Sequence, residues 1–161
     1  MLPITHFLVG LLFGLIGVRI GFFGYFGAFL IAILAVLIDF DHLITYYIRH
    51  KEWNLKRCWN VSLGVEENLW TFLHYWKGFF VILIFLIILG IFNLGWGYFL
   101  FSIYVPHFLL DQLHLYWVLN KGYKIHKVFG MNVIVYILEI LLVLIVLGLI
   151  LWLVYLKPKS I

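Results

Sequence analysis

Apolar residues run through this chain in long, nearly unbroken stretches, and the polar positions between them are few enough to place one by one. Five apolar segments stand out, with expected boundaries at residues 4–18, 22–38, 65–92, 96–117 and 131–155. Runs of this length read as membrane-spanning helices. The third begins with a polar face near Val65 and becomes wholly apolar from Phe79 to Phe92. The first two fall short of the roughly 20 residues a span needs, which implies local thinning or snorkelling by Arg19. The links at Arg19–Gly21 and Asn93–Gly95 read as tight turns, so the first and second segments, and the third and fourth, form antiparallel hairpins. The expected fold is all-α, a polytopic bundle of these five helices forming one domain over residues 1–161. Residues 43–64 form the longest polar connection, mixing Arg49, Lys51, Lys56 and Arg57 with Trp53, Leu55 and Trp59. That mixture favours the headgroup level. It serves either as a plain interfacial anchor or as a platform that draws an anionic lipid or phosphate towards a site.

Composition fixes the solvent. With 66% hydrophobic and 11% charged residues and a mean hydropathy of +1.12, a soluble domain of 161 residues could not bury its apolar surface. The net charge of +4 invites thoughts of nucleic acid, but the basic residues lie in the loops between apolar runs. They read as topology signals and lipid contacts, and nucleic acid is not an expected partner. Arg49, Lys51, Lys56, Arg57, Lys77, Lys121, Lys124 and Lys127 fall on one side; Arg19, Lys157 and Lys159 fall on the other. This asymmetry places the N-terminus and the first side in the cytoplasm of a plasma (inner) membrane, with the C-terminus outside. Cys58 has no second cysteine to pair with. Met1-Leu2-Pro3-Ile4-Thr5-His6 has no basic n-region, so the first segment reads as a retained helix.

The polar residues within the apolar segments carry the chemistry. On a helix, His107, Asp111 and His114 stand at i, i+4 and i+7 and share a face. An imidazole and a carboxylate one turn apart suit a divalent metal, and ionisable groups inside a membrane segment mark function. Pro106 removes the hydrogen bond to the Ser102 carbonyl and is expected to kink the helix. At the end of the second segment, Asp39-Phe40-Asp41-His42 supplies two carboxylates and an imidazole where the backbone can turn to present them together. His74, with Glu67 and Thr71 on its face, lies on the third segment and reads as a ligand. Gly10, Gly14 and Gly17 line the first segment on the stripe that carries His6, and Gly24, Ala28, Ala32 and Ala35 line the second down to Asp39. Small stripes of this kind let helices approach closely, and packing them together brings His6 beside Asp39. The expected metal ligands are therefore His6, Asp39, Asp41, His42, His74, His107 and Asp111, all in the cytoplasmic half. His114 is left open. Glu139, a lone carboxylate in the fifth segment, is expected to pair with His107 and orient it.

These residues resemble a family. Thr5-His6 with Gly10, then Leu37-Ile38-Asp39-Phe40-Asp41-His42, then His74, then His107-Phe108-Leu109-Leu110-Asp111 look like the motifs of the YdjM-type inner-membrane, metal-dependent hydrolases. The likeness covers residues 5 to 114 and leaves the fifth segment outside. Leu37-Ile38 stands where that family has a proline, and only His74 carries over from its third motif, since Leu69 and Trp70 fall at that motif's histidine and arginine. The resemblance implies a membrane-bound metal hydrolase using zinc and acting on lipid phosphoesters.

The residues alone lead to a compatible mechanism. Histidines with carboxylates suit Zn²⁺, while a more acidic site suits Mn²⁺ or Mg²⁺. The seven side chains suffice for one or two ions, and a pair could clamp a phosphoryl group. Asp41 and His74 are the residues expected to carry the chemistry, Asp41 as bridge or base. The expected partners are membrane lipid and a lipid or amphiphilic phosphoester substrate. The competing class is a non-enzymatic metal-binding protein, an ion transporter or a sensor. The outer half disfavours a conduction path, because Asn93 and Ser102 are its only polar candidates on the third and fourth segments. A polar cluster that only fixes helix packing is the third reading.

Overall fold

The computed structural model describes residues 2–57, 71–119, 127–128 and 131–155, and over these it is helical apart from one two-residue ladder. The helices are α1 (Pro3–Arg19), α2 (Tyr25–Leu37), α3 (Phe40–His50), α4 (Trp76–Phe92), α5 (Leu94–Leu119) and α6 (Val133–Tyr155). A 3₁₀ turn at Phe72–His74 precedes α4, and Lys127–Val128 pairs antiparallel with Met131–Asn132 before α6. Residues 58–64 of the expected 43–64 connection, Cys58 among them, and Glu67, Lys121, Lys124, Lys157 and Lys159 lie outside the described residues.

Two stretches are long and apolar enough to cross a membrane: Tyr25–His50, taken through its interruption at residues 38–39, and Val133–Tyr155. Only 22% and 17% of their most apolar windows are buried. Pro3–Arg19 and Trp76–Phe92 are apolar but shorter. The outward residues of α4, among them Phe80, Ile84, Ile88 and Ile91, are exposed.

The small stripes meet at Gly10 and Gly14, while Gly17 packs against the rings of Phe23 and Tyr98. A Cβ on Gly14 would lie 2.6 Å from the Ala28 Cα, and one on Gly10 would lie 2.9 Å from the Ala35 Cβ. Backbone thus packs on backbone along α1 and α2, the geometry that small residues permit. Gly24 takes no part: it precedes α2, with nothing within 4 Å of its Cβ position. The other expected hairpin, α4 with α5, also forms. It turns through Asn93, whose Oδ1 accepts the Trp96 amide at 3.1 Å and caps α5. Two apolar clusters flank α5. Leu8 and Val9 meet Leu110 and Val146 on one side, and Phe79 and Leu86 meet Tyr104, Val105 and Phe108 on the other.

Two segments depart from the expected pattern, both at the polar end. Residues 43–50, expected within a connection, are the body of α3. That helix has Asp41 in its first turn, Arg49 and His50 in its last, and Lys51 in the left-handed conformation as its stop. Acid at the start and base at the end complement the helix dipole and stabilise the helix. Residues 71–75, expected within a continuous third helix, instead fold as extended Thr71, the 3₁₀ turn and extended Tyr75. The Phe72 carbonyl crosses so close to Gly78 that no Cβ would fit there, so the chain doubles back over the start of α4. The Tyr104 hydroxyl donates to the Leu73 carbonyl at 2.7 Å and Gln112 donates to the His74 carbonyl at 3.2 Å, tying the turn to α5.

Candidate metal centre

The polar ends of α1, α2–α3, the 3₁₀ turn and α5 converge at one end of the bundle. His6 comes from the first turns of α1, Asp39 from the gap between α2 and α3, and His107 and Asp111 from α5. Ligand atoms of these four side chains lie within 4.8 Å of one another, as do those of a second set, Asp39, His42 and His74. Six of the seven expected ligands are therefore gathered, and Asp39 is common to both sets.

The separations are those of a coordination shell. His107 Nε2 lies 3.2 Å from Asp111 Oδ2 and 3.4 Å from Asp39 Oδ1. His6 Nε2 lies 3.2 Å from Asp111 Oδ1 and 3.8 Å from Asp39 Oδ2. His74 Nε2 approaches Asp111 Oδ2 at 2.9 Å, His107 Nε2 at 3.2 Å and Asp39 Oδ1 at 3.8 Å. Donors about 2.0–2.1 Å from a tetrahedral ion sit about 3.3 Å apart, a length that several of these separations approach. The His6 ring also stacks on His107, with centroids 4.2 Å apart.

Two of the imidazoles, those of His107 and His74, are aimed from behind. His107 Nδ1–H donates to the Ala35 carbonyl at 2.8 Å, leaving Nε2 bare towards the centre. That carbonyl is open because the chain leaves the α-helix at residues 38–39. There the Asp39 amide bonds the Val36 carbonyl, not Ala35 one turn back. His74 Nδ1 meets Thr71 Oγ1 at 2.8 Å and Asp41 Oδ2 at 3.3 Å, and the Thr71 hydroxyl donates to the same Asp41 oxygen. Asp41 belongs to neither set of ligand atoms. It stands behind His74, as the carboxylate of a carboxylate–histidine–metal relay stands behind its imidazole. His42 packs its ring 4.4 Å from that of His74.

Three imidazoles form the floor of the site, and Asp39 is its most open side chain. The His6, His74 and His107 side chains are 0%, 3% and 1% exposed, against 27% for Asp39 and 19% for Asp41. Exposed Phe40, Phe72 and Tyr75, each next to or within two residues of a site residue, supply an apolar surround.

Two sequence expectations change. Glu139 does pair with a histidine, but with His114 and not His107. His114 is buried and joins neither ligand set. Sequence reasoning also missed the Ala35 carbonyl, Tyr104 and Gln112. Gln112 carried a signal, being an amide in an apolar run beside Asp111, whereas a freed carbonyl has no signature in side-chain identity.

No family model matches the chain, and neither a curated protein nor a solved structure matches it.

Proposed function

We propose that this protein is a membrane-embedded, metal-dependent hydrolase acting on a phosphoester of a lipid or other amphiphile at the cytoplasmic face of a plasma (inner) membrane. The observation that carries the reading is the convergence of His6, Asp39, His107 and Asp111, whose ligand atoms lie within 4.8 Å of one another, with His107 Nε2 turned inward. The donor set fits a divalent ion, zinc first, because two imidazoles and two carboxylates suit it. The buried His6 ring supports this, since neither of its nitrogens has a hydrogen-bond partner and one faces two carboxylates.

When bound, such an ion supplies a water of lowered pKa and a Lewis acid for a phosphoryl oxygen. His6, His107, Asp39 and Asp111 would hold a first ion, and Asp39, His42 and His74 a second. Asp39, shared by both sets, is better placed to bridge them than Asp41, which orients His74. Asp39, the most open side chain of the site, marks the side from which a substrate enters, and the exposed Phe40 and Phe72 offer an apolar surface to its tails. The sequence resemblance to YdjM-type hydrolases points the same way, as does the excess of basic residues on the side of the site. At the far end the two polar candidates are spent on backbone: Ser102 donates to the Tyr98 carbonyl and Asn93 caps α5. That favours a one-sided site over a conduction path.

The test is metal analysis of the purified protein beside His107→Ala and Asp111→Ala. The expected result is bound zinc in the wild type and loss of most of it in both variants; near-zero metal in all three overturns the reading. Phosphate or headgroup release from a panel of phospholipids should then follow the metal. Metal without release from any lipid would leave the transporter or sensor reading in its place.

A further inference from the structure

Helix α6 contributes no metal ligand, yet it carries the most deeply buried carboxylate among the described residues, Glu139, which is fully enclosed. Both of its oxygens are engaged. Oε1 accepts Nδ1–H of His114 at 2.9 Å, and Oε2 accepts the backbone N–H of Leu2 at 3.2 Å. Leu2 is the cap of α1, one turn before His6, and its carbonyl accepts the Thr5 amide at 3.0 Å to close the turn that leads there. His114 is one turn beyond Asp111 on α5. One side chain on the last helix therefore grips the two elements that supply His6 and Asp111, whose ligand atoms meet at 3.2 Å.

The attachment also suits α1. A helix leaves its first amides without partners inside the helix and is positive at that end, so a carboxylate there satisfies a donor and complements the dipole. On α5, the bond to Nδ1 fixes the His114 tautomer and so the ring's orientation.

We infer that Glu139 is a positioning residue for the metal centre: through Leu2 and through His114 it sets α1 and α5 so that His6 and Asp111 come together around a divalent cation. The inference rests on the metal-centre reading, and its test is arranged to fail separately from it.

The full chain in detergent is titrated with Zn²⁺ against a chelating dye, and backbone hydrogen exchange is followed without metal. Glu139→Ala should weaken zinc binding by about 10- to 100-fold, the usual effect of losing a group that orients ligands. It should also speed exchange in the first turn of α1 and around residues 111–114. Glu139→Gln should restore both readouts, since its carbonyl can accept the Leu2 amide while its NH₂ donates to the other His114 tautomer. His114→Ala, a smaller lesion should Glu139→Ala not fold, should loosen α5 near Asp111 and leave the first turn of α1 protected. Val135→Ala removes an equally buried residue one turn earlier on α6 and touches neither bond, so its zinc affinity should match the wild type.

Unchanged exchange in Glu139→Ala overturns the inference. So does a Val135→Ala loss of zinc equal to that of Glu139→Ala, or failure of glutamine to rescue. A wild type that binds no zinc but shows the exchange pattern removes the metal-centre reading and leaves the brace between α1 and α5 standing.

Discussion

At the level of single residues, the centre is built in two layers: side chains that face a common point, and groups behind them that choose which nitrogen faces it. Thr71 belongs to the second layer, its hydroxyl between Asp41 and His74. Thr71→Val keeps the shape and removes the hydroxyl. It is expected to weaken zinc affinity by about tenfold, the low end for loss of such a partner. Asp41→Asn is expected to do the same or more, because it disturbs both the charge and the tautomer of His74. Equal zinc affinity for both variants and the wild type, by dye competition, would return Asp41 to the roles of base or bridge. The first layer was legible in the sequence, because each of these histidines and aspartates interrupts or ends an apolar run and has no other evident use. The second layer was not. Spacing places His107 and His114 two turns apart on α5, but it cannot say which looks towards α2 and which towards α6. The assignment of Glu139 therefore went to the wrong histidine.

At the level of elements, the approach of α1 to α2 sets the distance from His6 to Asp39. Gly14→Leu places a side chain where even a Cβ would be 2.6 Å from the Ala28 backbone. Overpacking of this kind costs about 1–3 kcal/mol. We expect a lower Tm in detergent together with reduced zinc content, since the two helices must part. Gly24→Ala, with open space at its Cβ position and ordinary φ, should leave both unchanged. Equal behaviour of the two variants would show that the close approach does not govern the site. The stripes that make it possible were readable from one-letter spacing. The reversal at residues 71–75 was not, because it depends on a carbonyl passing over Gly78 and on Tyr104 and Gln112 reaching across from α5. Those contacts span more than 30 positions, and local pattern does not register them.

At the level of the whole molecule, the titratable groups of the site gather at one end, the end that the proposed topology puts on the cytoplasmic side. The proposed orientation predicts that a fluorescent reporter at the N-terminus is bright. A phosphatase reporter, active only outside, should work at the C-terminus; the reverse pair of signals would invert the sidedness. The first and last helices are also joined at both of their ends, at Leu2 with Glu139 and, far from the site, at Arg19 with the Leu153 carbonyl. These bonds link positions 137 and 134 residues apart. During synthesis, every ligand of the centre has been made before α6 begins at Val133. The earliest segment to emerge must then wait for the latest to set its depth and turn. The centre is thus finished last, and a nascent chain halted between Asp111 and α6 holds all the ligands without the clamp that gathers them.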